Sequence, residues 1–72
     1  MYYFKVIVHI HGRKKPLTGI RAYETEDQDK IRAMIRQYLL KYYSKSDIWY
    51  IDLWPMVEYN TEVQEYIQKQ KG

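Results

Sequence analysis

The stretch YYFKVIVHIHG, Tyr2 to Gly12, limits what this chain can fold into more than any other. Tyr2, Phe4, Val6, Val8 and Ile10 alternate with Tyr3, Lys5, Ile7, His9 and His11. Side chains two apart share a face of a β-strand, so one face here is wholly apolar and the other is mixed. That is the pattern of a central strand, and the rest of the chain is expected to pair with it or cover it.

The next segments supply its neighbours. GRKKPLTG, residues 12 to 19, contains glycine, proline and three basic residues, which is the chemistry of a hairpin connection. A second, weaker strand is predicted over Leu17 to Thr25, with Ile20 and Ala22 toward the core and Arg21 and Tyr23 on the other face. Its glycine and flanking charges suit an edge position. Thr25 and Gln28 form a capping-box pattern that opens a helix, and Ile31, Met34, Ile35, Tyr38, Leu39 and Tyr42 then recur at helical spacing as one apolar stripe. Ala33 and Leu40 fall on the opposite face, so Leu40 is a candidate for contact with another segment or subunit.

From Asp47 to Trp54 the pattern returns to period two. Trp49, Ile51 and Leu53 are expected on the core face, with Ile48, Tyr50, Asp52 and Trp54 on the other. Pro55 cannot donate to a ladder, so it ends this third strand or marks it as an edge. Thr61 and Gln64 repeat the capping pattern before a short helix with Val63, Tyr66 and Ile67 on one side, and QKQKG is expected to fray. The order is ββαβα. An unknotted crossover places the third strand on the far side of the first, giving an α+β fold: a three-stranded antiparallel sheet of order 2-1-3, one main helix on one face, and a short C-terminal helix.

Composition sets outer bounds on this fold. A chain of 72 residues is a single domain, 1–72. At that size it buries only about 60 to 65 % of its unfolded surface. With no cysteine it has neither disulfides nor Cys-containing zinc sites, so its stability rests on side chains that are 46 % hydrophobic and 17 % aromatic. The basic residues Arg13, Lys14 and Lys15 come after the first apolar run, which is the reverse of a secretory signal. No apolar run is long enough to span a bilayer. A cytoplasmic protein without a membrane partner is expected.

No catalytic constellation is visible in the sequence. There is no cysteine nucleophile, Ser44 and Ser46 have no histidine near them in sequence, and GRKKPLTG lacks the spacing of a phosphate-binding loop. His9, His11 and Asp52 sketch a two-histidine, one-carboxylate set, but its third member rests on an assumed register and no metal or cofactor is assigned. The leading expectation is a non-enzymatic interaction module that binds itself or a protein partner through an open sheet face or edge, with Ile7, Leu40, Tyr50 and Trp54 as candidate contacts. The alternative is nucleic-acid binding through a basic, aromatic sheet face and the GRKK loop, using Lys5, Arg13, Lys14, Lys15, Arg21, Tyr23 and Tyr50. The charge distribution motivates it. Residues 1–45 hold ten Lys or Arg against four Asp or Glu (net +6), and residues 46–72 hold two against five (net −3), which together give the formal +3 of the chain.

Overall fold

The computed structural model describes residues 1–71. The elements run β1 (Tyr2–Ile10), β2 (Leu17–Tyr23), α1 (Gln28–Leu39), a single 3-10 turn (Lys45–Asp47), β3 (Ile48–Met56) and α2 (Thr61–Lys71). β1 is the central strand of an antiparallel sheet ordered β2-β1-β3, as the alternation at Tyr2 to Ile10 requires. Gly12 makes the hairpin turn feasible. Its φ of 88° lies in the left-handed region where a side chain is strained, and the Arg13 amide bonds back to the Ile10 carbonyl at 3.2 Å.

α1 begins at Asp27 rather than Thr25. The Asp27 carboxylate accepts from the amides of Asp29 and Lys30, while the Thr25 hydroxyl accepts from the amide of Asp27 itself. At its other end α1 stops at Leu39, so Tyr42 lies in the turn beyond it. α2 is capped by Asn60, whose side-chain oxygen accepts from the Glu62 amide at 2.9 Å, and it stays helical to Lys71, beyond the point where fraying is expected. Gly72, the last residue of that expected frayed end, lies outside the described residues.

The main core lies between β1, β3 and α1. Phe4, Val6, Val8 and Ile10 meet Ile48, Ile51 and Leu53 under Ile31 and Leu39. α1 does not sit centred over the sheet. It packs toward β3, where the Arg32 Nε donates to the Ile51 carbonyl at 3.0 Å. Met34, Tyr38 and Tyr42, three of the six residues in the expected stripe, are therefore exposed.

Two strand faces depart from the sequence expectation. In β2 the register Val8↔Leu17, Val6↔Gly19, Phe4↔Arg21 turns Leu17, Gly19, Arg21 and Tyr23 toward α1, and turns Ile20 and Ala22 away from it. Apolar Ile20 and Ala22 need cover on that second face, and α2 supplies it: α2 packs against β2 with Val63 fully buried. In β3 an irregularity between His9 and Ile10 sets Ile48, not Trp49, opposite Ile10. The extra residue reverses the phase of the first two positions, burying Ile48 and exposing Trp49.

Candidate functional site

α2 covers only part of the sheet's second face. It lies on the β2 side, tied by an ion pair from Lys5 Nζ to Glu62 Oε2 at 3.4 Å, and leaves the β1–β3 side open. Along that open side the register sets His9 opposite Tyr50, Ile7 opposite Asp52 and Lys5 opposite Trp54. Trp49, Tyr50 and Trp54 are 62 %, 50 % and 60 % exposed. Tyr50 and Trp54 stand about 13 Å apart at a strand's rise per residue, so the rings form a strip along β3.

The histidines brace this strip. The His9 ring stacks on Tyr50, with centroids 4.2 Å apart and planes 18° from parallel, and His9 Nε2 lies 3.3 Å from Asp52 Oδ2. His11 packs at 5.3 Å against Trp49. Each histidine thus holds an aromatic ring in place, and stacking of this kind contributes about 0.5 to 1.5 kcal/mol beyond area burial. Among the described residues no cluster of three or more His, Asp or Glu converges, so His9, His11 and Asp52 do not assemble into a metal set.

Each sheet edge is interrupted at one or two positions. The His11 amide bonds to the Asp47 carbonyl on the β3 side at 2.7 Å, so odd-numbered residues of β1 turn their backbone groups toward β3 and even-numbered ones toward β2. By the register, Ile51, Leu53 and Pro55 then aim outward on the β3 edge, and Thr18, Ile20 and Ala22 on the β2 edge. Arg32 occupies the Ile51 carbonyl, Arg21 Nη1 occupies the Ile20 carbonyl at 2.7 Å, and Pro55 has no N–H to offer. An arginine on each edge and a proline on one are devices against strand addition. Replacing Arg32 with methionine and Pro55 with valine together is expected to produce concentration-dependent assembly with thioflavin-T fluorescence. A double variant that stays clear and dye-negative at high concentration would show that other features protect the edge.

The sequence-derived candidates separate accordingly. Ile7 is half-buried at the centre of the strip, flanked by exposed Tyr50 and Trp54. Leu40 is exposed at the C-cap of α1, in the layer on the other side of the sheet, and is not part of the strip. The nucleic-acid set is divided. Arg21 and Tyr23 lie on the α1 face, with the Tyr23 ring 6.2 Å from Phe4 and its hydroxyl pKa raised mainly by burial. Lys5 is paired to Glu62, which leaves Arg13, Lys14 and Lys15 exposed in the hairpin loop beside Tyr50's strand. Trp49 is the strip residue that strict alternation misses. The signal for it was the run Ile48, Trp49, Tyr50, which can be read in either phase.

Comparison with models of known protein families, with curated proteins and with solved structures gives no match to this chain.

Proposed function

We propose that this chain is a small non-enzymatic interaction module whose docking surface is the Trp49, Tyr50 and Trp54 strip, and that its partner is a second copy or another protein. One observation carries the reading. With each sheet edge interrupted by an arginine and α2 seated on β2, the large apolar surface left on the second face is two tryptophans and a tyrosine, the residue types that dominate binding energy at protein interfaces. Two of the three rings, Tyr50 and Trp49, are also pre-ordered by His9 and His11, which lowers the entropy cost of docking. A reducing compartment, the cytoplasm, suits a chain without cysteine.

Sedimentation equilibrium with tryptophan fluorescence tests the self-association form. The wild type is expected to dimerise with a blue shift in emission, and Trp54→Ser to weaken the dimer by about 2 kcal/mol, or about 30-fold. A wild type that stays monomeric at high concentration with fully solvated tryptophan emission would remove the homodimer and leave only a different protein as partner.

A second reading has its own support: the exposed Arg13, Lys14 and Lys15 loop leaves β1 at the end where His11 meets Trp49. Single-stranded nucleic acid could stack bases on the strip and set phosphates on the loop. Binding to a mixed oligonucleotide should then fall steeply with salt, and Lys14→Ala should reduce the log–log salt slope by about 0.7. No measurable binding at low salt would dispose of this reading.

A further inference from the structure

On the opposite face of the sheet the offset of α1 leaves a cleft of about 600 Å³ between α1 and β2. Its floor is Val6 and Val8, and its helix wall is Met34, Ile35 and Tyr38. The strand wall is the row Leu17, Gly19, Arg21, Tyr23 that the β2 register turns inward. The gap has a direct cause in the sequence. Gly19 contributes no side chain where the strand faces the helix, and α1 is held away over β3 by Arg32. The volume falls within the range of small-molecule sites, about 300 to 1,000 Å³.

Of the residues that line the cleft, only Arg21 is charged. Its guanidinium lies over Gly19: a Cβ built on that glycine would stand 3.1 Å from Nη1. Nη1 donates to the Ile20 carbonyl, and no carboxylate pairs with Arg21 among the described residues. The guanidinium is therefore positioned by the backbone with donors to spare, at the rim of an apolar cleft. The row from Leu17 to Tyr23 spans six rises, about 20 Å.

We propose that this cleft binds a small amphipathic monocarboxylate, such as a medium-chain fatty acid. The acid group sits on the Arg21 guanidinium, and the apolar tail lies over Val6 and Val8 against Ile35. Gly19, over which the guanidinium lies, is two rises, about 7 Å, from the Leu17 end of the row, so the first few carbons of the tail lie along β2 and the remainder turns onto the helix wall at Ile35. The charge complementarity selects an anion over a neutral lipid, because a charge-assisted pair to a planar guanidinium adds binding that an alcohol cannot reproduce. This surface is separate from the aromatic strip, so the proposal stands independently of the interaction reading above.

The test uses the full chain with decanoate, decanol and acetate as probes, kept below micelle-forming concentrations. Binding is followed by calorimetry and by the methyl resonances of Met34 and Ile35. Decanoate is expected to bind and to shift those methyls, acetate to fail, and decanol to bind more weakly. Arg21→Gln should weaken decanoate by about tenfold and leave decanol unchanged. Gly19→Val, whose Cβ would stand 3.1 Å from Arg21 Nη1 and so displaces the guanidinium while narrowing the cleft, should weaken both, decanoate the more. Should Arg21→Gln fail to fold, Arg21→Lys serves in its place: the charge claim requires it to keep a preference for decanoate over decanol, and loss of that preference overturns the claim. Equal decanoate affinity in wild type and Arg21→Gln, shifts confined to the Trp49 and Trp54 indoles, or no binding at all would each overturn the proposal. So would tighter binding of a peptide ending in an apolar residue with a free carboxylate, which would make the occupant a protein terminus.

Discussion

Ile31→Ala should remove about 2 to 5 kcal/mol of unfolding free energy, the range for truncating a buried isoleucine with partial relaxation around the cavity. A chain of 72 residues has only about 4 to 11 kcal/mol in total, so the substitution consumes a large share of it. Ile31 is fully buried where α1 meets the Phe4, Ile51 and Leu53 core. Urea denaturation should show a midpoint near half the wild-type value with an unchanged slope. Met34→Ala, one turn along the same apolar stripe, should cost less than about 1 kcal/mol, because Met34 is 48 % exposed at the cleft. Similar costs for the two would mean that α1 sits centred over the sheet, and the α1–β2 cleft would then be closed.

That contrast shows where periodicity carries information and where it does not. The spacing of Ile31, Met34, Ile35, Tyr38 and Leu39 identifies α1 and its inward side, and the alternation of β1 identifies the central strand. Sheet order came from chain connectivity, and the structure has it as β2-β1-β3. Neither pattern says how far a helix is displaced across a sheet, which here depends on Gly19 and on the reach of Arg32 to Ile51. The phase of β2 was unreadable for a related reason. Ile20 and Ala22 look like inward-facing residues because they are half-buried, but on the face that α2 covers rather than the one toward α1. One face of β2 is covered by α2 and the other looks across a cleft toward α1, so apolarity could not choose between them.

The candidate strip was legible in part. Tyr50, Trp54 and Ile7 could be placed on one face by alternation, and the register confirms that they share it. Trp49 required knowledge of a single inserted residue opposite Ile10, which no period-two pattern contains. The grouping of Arg21 and Tyr23 with Tyr50 failed with the β2 phase, since a one-residue shift carries every side chain of a strand to the other face. The bracing of Tyr50 by His9 and of Trp49 by His11 gives the histidines a role that their spacing alone had suggested only as ligands.

Val63→Asp should release α2 while leaving the rest of the domain folded. Val63 is fully buried yet lies outside the cluster beneath α1, and α2 contacts the sheet through β2. A carboxylate there would have to stay charged without water or take up a proton, at a cost of several kcal/mol, and undocking an 11-residue helix is the cheaper response. Detached, a helix of that length is marginal in water. The variant should therefore lose about half of the helical circular dichroism, 11 of the 23 α-helical residues, while cooperative unfolding of β1, β3 and α1 persists. Undocking would also expose Ile20 and Ala22 beside Ile7 and the aromatic strip, joining two apolar areas into one, so the variant should self-associate more strongly than the wild type. Complete loss of cooperative folding would instead make α2 integral to the sheet's stability, and the strip would then be the remnant of one continuous core face rather than a surface left open beside a separable helix.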